Sequence, residues 1–299
     1  MHCWLKRASL SEVNYAILAT MKYLNGLELA DFIKVRQAKQ VRGLRQAERI
    51  IPRLAIVRCD SGNPVIDTYV RLKKRYGEDI LVEVEEHQET PETVQDRLRK
   101  LAEDSLVHGI IVQLPVEPSE LTETLLALVP AHKDVDGLRA QSDFDAATPV
   151  AIDWLLAGYG VDIARKNVAI VGAGKLVGAP LAARWRLSGR PVAVFDKNDA
   201  QNLAAELPNF EVVVSATGVA GLLTSDMLQT GAVVVDAGTS VEGGVVVGDL
   251  AADVRSSRDD LTLTPEKGGV GPLTVAALFD NVLIAARRQA QSQNEALNS

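Results

Sequence analysis

The sequence has 299 residues, with 32 Lys and Arg against 39 Asp and Glu for a net charge of −7, and 47% of it is apolar. An acidic balance excludes bulk nucleic-acid binding, which needs a basic excess against phosphates, and the apolar fraction excludes a disordered chain. Two cysteines, Cys3 and Cys59, make neither a disulfide framework nor a metal knuckle, so a reducing, cytoplasmic setting is expected.

At about 150 residues per domain, the length predicts two domains. No apolar run approaches the roughly 20 residues of a bilayer span, and a soluble protein is expected. Near the start, Ser9, Ser11, Glu12 and Asn14 break up any signal-peptide core. Residues 1–20 are expected to be an upstream extension or a disordered arm. From Asn25 onward, Leu29, Ala30, Ile33, Ala38, Val41 and Leu44 recur at helical spacing with polar residues between them, which predicts a long amphipathic helix. Short β-branched runs at 54–57, 80–84 and 110–114 predict strands, and helical patterns separate them at 65–76 and 93–104. Strands alternating with helices imply right-handed parallel crossovers, hence an α/β domain.

The stretch 138–149 is polar and irregular and reads as a hinge. A helix at 151–159 and strands at 168–171, 192–195, 212–215 and 233–236 then predict a second α/β unit. Beyond Thr264 a Gly-rich turn leads into an apolar helix over 273–287, with more apolar faces than a tail needs; it is expected to pack back on the first domain. Residues 292–299 are expected to be frayed.

Val168-Ala169-Ile170-Val171-Gly172-Ala173-Gly174-Lys175-Leu176-Val177-Gly178-Ala179-Pro180 reads as a strand, a glycine turn and a helix start. Gly172 permits the turn, Gly174 lets backbone approach a pyrophosphate, and the helix N-terminus offers amide donors. A tight turn without ligand would need the same glycines, but the next strand ends at Asp196, 24 residues on. That is near the offset at which a carboxylate meets the adenosine ribose hydroxyls. Dinucleotide binding is therefore expected. Asp196 favours NAD over NADP because it would repel the extra phosphate, although Lys197 beside it offsets part of that repulsion.

In the first domain, Asn63-Pro64 reads as an N-cap with proline at the first helical position, and Tyr69 and Lys73 share one face of the helix that follows. A ring beside an ammonium suits a planar ligand, and a partly buried lysine suits proton transfer. Alone, Arg71, Lys73, Lys74 and Arg75 read equally as a solvated basic face. Gln113 stands at the C-terminal end of a strand, where open α/β sheets bind ligands, and Asp134 and Asp136 lie in a turn.

In the ordered set of these segments, the chain resembles the bifunctional methylenetetrahydrofolate dehydrogenase/methenyltetrahydrofolate cyclohydrolase family. The matching runs are Tyr69-Val70-Arg71-Leu72-Lys73, His108-Gly109-Ile110-Ile111-Val112-Gln113-Leu114-Pro115, Lys133-Asp134-Val135-Asp136-Gly137, the 171–180 turn, and Gly268-Gly269-Val270-Gly271-Pro272-Leu273-Thr274-Val275-Ala276. They stand in family order over about residues 24–287. The resemblance implies an α/β catalytic domain over 21–147, a Rossmann-type dinucleotide-binding domain over 148–272, and a helix over 273–290 returning to the first. It implies NAD or NADP as cofactor, a small-molecule folate substrate, no metal and a homodimer. Lys73 resembles the lysine that serves the cyclohydrolase proton chemistry, Tyr69 the ring stacked on folate, Gln113 the glutamine that tunes the lysine, and Asp136 the aspartate that holds the pterin edge. Leu114, Pro115, Gly269 and Pro272 fall on the substrate side. Gly172, Ala173, Gly174, Lys175, Leu176, Val177, Gly178, Asp196, Lys197, Thr217, Gly218, Gly238, Gly269 and Val270 fall on the cofactor side.

Several positions depart from the family pattern. Ile66 stands where a serine is usual, Ala173-Gly174 where Arg-Ser is usual, and Asp196-Lys197 where His-Ser is usual. Lys267 replaces a proline, and Thr148-Pro149-Val150-Ala151 replaces Thr-Pro-x-Gly. Losing the arginine agrees with the NAD preference. A shikimate-type two-domain dehydrogenase and a non-catalytic cofactor- or folate-binding regulator are the alternative readings.

Overall fold

The computed structural model describes residues 22–242 and 245–298; the expectation for residues 1–20 lies outside that range. The first half contains β1 (Lys22–Tyr23), α1 (Gly26–Gly43), β2 (Arg53–Arg58), α2 (Pro64–Ile80), β3 (Glu83–Gln88), α3 (Val94–Glu103), β4 (Gly109–Gln113) and α4 (Thr122–Leu128). β2 is the middle strand of a parallel sheet ordered β3-β2-β4. Its run Leu54-Ala55-Ile56-Val57 is buried throughout, as a parallel strand covered on both faces requires. One face packs under α1, α2 and the last helix, the other under α3 and α4.

The expected strand at 80–84 is displaced to Glu83–Gln88. Ile80 belongs to the apolar face of α2 and is fully buried, and Leu81 closes that helix in the left-handed region at φ 67°. The edge strand that follows is rich in glutamate, and Arg53 and Arg58 from β2 neutralise Glu83 and Glu86 at 2.9 and 3.1 Å.

The second half contains α5 (Ala147–Gly158), β5 (Val168–Val171), α6 (Gly178–Leu187), β6 (Ala193–Phe195), α7 (Leu203–Glu206), β7 (Val212–Ser215) and β8 (Val233–Asp236). The hairpin of β9 (Ser240–Glu242) and β10 (Val245–Val247) follows, then α8 (Ala252–Ser257), β11 (Thr262–Leu263) and α9 (Val270–Asn298). The expected hinge ends earlier than its polarity suggested, because α5 accommodates Pro149 within its first turn, where a missing N–H costs nothing. The second sheet is parallel and ordered β1-β11-β8-β7-β5-β6. The strand order reverses at β5, with β6 added on one side and β7 on the other, which makes the crevice beyond β5 and β7 the switch point of a doubly wound fold. β1 and β11, two residues each, add to the four expected strands; they are too short to show a period.

α9 runs beyond the expected 287, and its last turns include residues 292–298. Contrary to the expectation from sequence, one stretch reaches span length. Val270–Ser292 is long and apolar enough by length and composition, with mean hydropathy 1.4, and 61% of that window is buried inside the protein. Val270 and Leu273 enter the second core, whereas Ala276, Phe279, Val282, Leu283 and Ala286 enter the first. Polar ties fix its rotation. Gln37 Nε2 donates to the Ala276 carbonyl at 2.8 Å, and Tyr76 Oη donates to Gln37 Oε1 at 2.7 Å. The Tyr76 ring stacks on Phe279 at 5.0 Å.

Replacing Gln37 by Leu strands the buried Tyr76 hydroxyl and is expected to cost about 1–3 kcal/mol in urea unfolding. The double change Gln37→Leu/Tyr76→Phe, which removes both partners, is expected to recover part of that loss.

Candidate active site

The position of α2 is set from its N-terminus. Asp60 Oδ2 accepts from the amides of Gly62 and Asn63, both at 3.1 Å, and Asn63 Oδ1 then caps Val65 N at 3.0 Å. The Arg58 guanidinium, paired with Asp60 at 2.8 Å, lowers the Asp60 pKa to about 2 and keeps that cap charged. Apolar residues Ile66, Val70, Gly77 and Ile80 face the core, which turns Tyr69 and Lys73 to the other side, into a cleft between the two sheets.

There Lys73 Nζ donates to Gln113 Oε1 at 2.6 Å. Gln113 Nε2 in turn donates to the Leu114 carbonyl at 2.9 Å, which holds its oxygen toward the amine. Burial pushes the Lys73 pKa down, and the nearby Asp136 charge opposes the shift. The same desolvation pushes Asp136 up, against the pull of Lys73. Burial also raises the Tyr69 phenol. The Asp136 carboxylate makes no hydrogen bond to another described residue, so its oxygens are open to a ligand.

The Asp136 turn is held from three sides. Lys133 Nζ caps the end of α3 by donating to the carbonyls of Leu101, Ala102 and Asp104 at 3.1, 2.9 and 2.7 Å. Asp134 accepts from the amides of Leu138 and Arg139 at 3.4 and 3.0 Å. Asn281 on α9 donates to the Val135 carbonyl at 2.9 Å. Lys133 and Asp134 are thus structural, and Asp136 alone of the turn's carboxylates faces the cleft. Gly137 is required there: its φ is +69°, and a Cβ would lie 2.6 Å from Ala146 N.

The cleft has a volume of about 860 Å³ and is walled by both domains. Tyr69, Lys73, Gln113, Leu114 and Asp136 line one half, and Leu176, Val177, Gly238 and Val270 contribute to the other. Pro115, Gly269 and Pro272 do not line it. Gly269 instead packs on α1, where a Cβ on Gly26 would meet its carbonyl oxygen at 1.8 Å. Ile66 is buried in the first core and does not face the cleft. Asp236, Arg255 and Glu266 also line the cleft; a carboxylate ending a strand was the visible signal for Asp236.

Gly172, at φ +102°, turns the chain out of β5, and Gly178 is obligatory because a Cβ there would lie 1.7 Å from the Gly172 carbonyl oxygen. Gly174 has open space where its Cβ would stand. The amides of Ala173 to Val177 make no hydrogen bond to described residues, and they precede the N-terminus of α6. This is a cradle fitted to a pyrophosphate, with donors free and no side chain in the way. Lys175 leans across the cleft mouth to Glu123 on α4 at 2.8 Å. Thr217 and Gly218 follow β7 at the adjoining edge. Asp196 and Lys197 are exposed past β6; Asp196 Oδ1 accepts from Asn198 N at 2.7 Å, and its amide donates to Asp199 at 2.8 Å. One Asp196 oxygen is engaged in the turn, and the other makes no hydrogen bond among the described residues.

Comparison with known proteins agrees with this geometry. Residues 24–136 match the family model described as tetrahydrofolate dehydrogenase/cyclohydrolase, catalytic domain, and residues 146–290 match its NAD(P)-binding domain. The bifunctional protein FolD of Heliobacterium modesticaldum is 33% identical over 290 residues, covering 92% of this chain and 100% of that protein. The crystal structure of the FolD methylenetetrahydrofolate dehydrogenase/cyclohydrolase of Campylobacter jejuni superposes with a TM-score of 0.82 at 30% identity, over 90% of this chain and 99% of that one. The Trypanosoma brucei methylenetetrahydrofolate dehydrogenase-cyclohydrolase, complexed with NADP cofactor and inhibitor, superposes at 0.83 with 28% identity, over 90% and 98% of the two chains.

Because burial lowers the Lys73 pKa, its amine is expected to react with acetic anhydride along a pH profile whose midpoint lies below the ordinary lysine value of about 10.4. Asp136→Asn removes a charge that stabilises the ammonium and is expected to move the midpoint further down. Mass-spectrometric competitive labelling reads both, and an upward shift would contradict the assigned electrostatics.

Proposed function

Since this chain belongs to the tetrahydrofolate dehydrogenase/cyclohydrolase family and is a bifunctional methylenetetrahydrofolate dehydrogenase and methenyltetrahydrofolate cyclohydrolase, we propose that the cleft between its sheets houses both reactions. The observation that carries this reading is the Lys73–Gln113 pair, sharing one cleft with Asp136 and with Leu176 and Val177 of the glycine turn. A shikimate-type dehydrogenase and a non-catalytic regulator are not favoured.

The chain binds NAD(P), which supplies a hydride acceptor when bound. In the oxidative step the protein's part is positioning: it holds the methylene carbon in line with the acceptor, and the product is the methenyl cation. Tyr69 stacks on the folate ring, and the open Asp136 carboxylate accepts from its amino and ring N–H groups. In the hydrolytic step, water adds to the methenyl carbon. Lys73, its neutral form favoured by burial, takes one proton from that water and gives it to the ring nitrogen as the carbon–nitrogen bond breaks, while the second water proton leaves to solvent as the formyl carbonyl forms, giving formyltetrahydrofolate. Gln113 holds the amine in line for both transfers.

Asp196 favours NAD: its free oxygen can accept from a ribose hydroxyl, and the turn has lost the family's arginine at Ala173. The catalytic unit is assigned to 21–147 with the returning helix, and the cofactor unit to 148–272, with the difference that β1 (Lys22–Tyr23) at the start of the first range pairs with β11 and so joins the sheet of the second. A free, buried Cys59 suits the cytoplasm. Homodimerisation is assigned to the second domain, where Val241, Val245 and Val246 of the β9–β10 hairpin are exposed.

With methylenetetrahydrofolate, reduced nicotinamide is expected to form faster with NAD than with NADP. Asp196→Ser is expected to lower the NAD/NADP ratio of kcat/KM about tenfold, the worth of one hydrogen bond to a charged group. Lys73→Met is expected to cut the decay of the methenyl chromophore by about 10²–10⁴ while dehydrogenase turnover continues. A full cyclohydrolase rate in that variant would remove Lys73 from its role. Light scattering is expected to give the mass of a dimer, and Val245→Lys to give that of a monomer.

A further inference from the structure

β8 ends in Asp236-Ala237-Gly238, and the chain returns from the hairpin through Gly248-Asp249. Each carboxylate packs on the glycine beside the other. A Cβ on Gly238 would lie 1.9 Å from Asp249 Oδ1, and one on Gly248 would lie 2.1 Å from Asp236 Oδ2. Asp236 accepts from the amides of Gly238 and Asp249 at 3.1 and 3.0 Å, and of Leu250 at 3.1 Å. Asp249 is fully buried; its Oδ2 accepts from Ser215 Oγ at 2.5 Å and from Thr217 N at 2.7 Å. Its Oδ1 has no hydrogen-bond partner among the described residues.

A buried carboxylate with one oxygen unpartnered is expensive, and an apolar side chain would pack this corner at less cost. What the charge does here is join three loops. It draws in the amide of Thr217 after β7, lies against Gly238 after β8, and is itself held by Asp236 through the 248–250 return. Asp236, Gly238, Thr239 and Gly248 all line the cofactor half of the cleft, and Gly221 lines it from the loop after β7.

We propose that Asp249 is a positioning residue for dinucleotide binding, which sets the Thr217–Gly218 and Gly238 backbones in one surface without itself reaching substrate or cofactor. The proposal rests on reading that half of the cleft as the cofactor site. The hydrolytic groups, Lys73 on α2 and Gln113 on β4, stand on the other side of the cleft and share no hydrogen bond with this lock. Cofactor affinity therefore depends on Asp249, and hydrolysis of the methenyl substrate does not. An asparagine removes the charge, and one of its two orientations sets its N–H against the Thr217 amide, a donor facing a donor.

The test compares the full-length wild type with Asp249→Asn, using calorimetric titration with NAD and NADP and steady-state kinetics of both reactions. The cofactor Kd and KM are expected to rise about tenfold. The dehydrogenase kcat at saturating cofactor and the cyclohydrolase kcat/KM are expected to stay within about twofold. Unchanged cofactor affinity overturns the inference, as does a parallel fall of both activities together with Tm, the mark of a merely structural residue. Should Asp249→Asn fail to fold, Ser215→Ala decides. A cofactor Kd raised about threefold at constant cyclohydrolase rate supports the role, and an unchanged Kd overturns it. If the wild type binds neither cofactor, the underlying reading of the site fails, a result distinct from unchanged affinity in a variant.

Discussion

The burial of one helix governs this molecule. α9 is apolar on more sides than any single sheet can cover, so it must lie where two cores meet. Its first turn, with Val270 and Leu273, closes the second core, and the stretch from Ala276 to Ala286 closes the first. At about 1.5–3 kcal/mol for each large side chain removed from water, this is a strong restraint on the relative placement of the sheets. The cleft is a consequence. Thr274, Val275 and Leu278 form part of its wall, and Asn281 holds the carbonyl just before Asp136. A helix with the composition of a bilayer span thus serves as the seam between two domains.

Desolvation moves the pKa values of Lys73 and Asp136 in opposite directions. Taking Lys73 and Asp136 out of water favours the neutral form of each, while their mutual attraction favours the charged forms. Neither effect acts alone: burial moves the Lys73 pKa down and the Asp136 pKa up, and the charge of each opposes the shift of the other. Gln113 matters because a glutamine adds a hydrogen bond without a full charge, so it orients the amine and leaves the balance with Asp136 in place.

The cofactor half relies on backbone. The amides of the 173–177 turn make no hydrogen bond to described residues and precede the α6 N-terminus, an arrangement suited to phosphate without a cationic side chain, and the one lysine in the turn is engaged with Glu123. Backbone recognition demands that loops from separate strands hold their positions, and glycines are needed wherever they approach closely. Gly172 against Gly178 is one such contact; Gly238 and Gly248 against the two aspartates are another. An overall charge of −7 therefore says little about a cleft whose anion site is made of peptide dipoles.

The α/β alternation, the two units, the Rossmann-type turn and the polar set Tyr69, Lys73, Gln113 and Asp136 were all legible in the chain, because period, turn chemistry and ordered motifs are local properties. Local patterns misled where an apolar run served two elements, as at Ile80, whose place on the α2 face displaced the next strand. They were silent where an element was too short to have a period, as in β1 and β11. Only the tertiary structure decided which turn residues act and which support: Asp134 folds back onto backbone amides while Asp136 opens into the cleft. It also decided that Ile66 is core and that Gly269 packs on α1, and it brought Asp249 under Thr217 across 32 residues. The physical reason is the same in each case. The direction a side chain faces, and whether its charge is satisfied, depends on which distant element covers it, and that is settled only when the two cores close around α9.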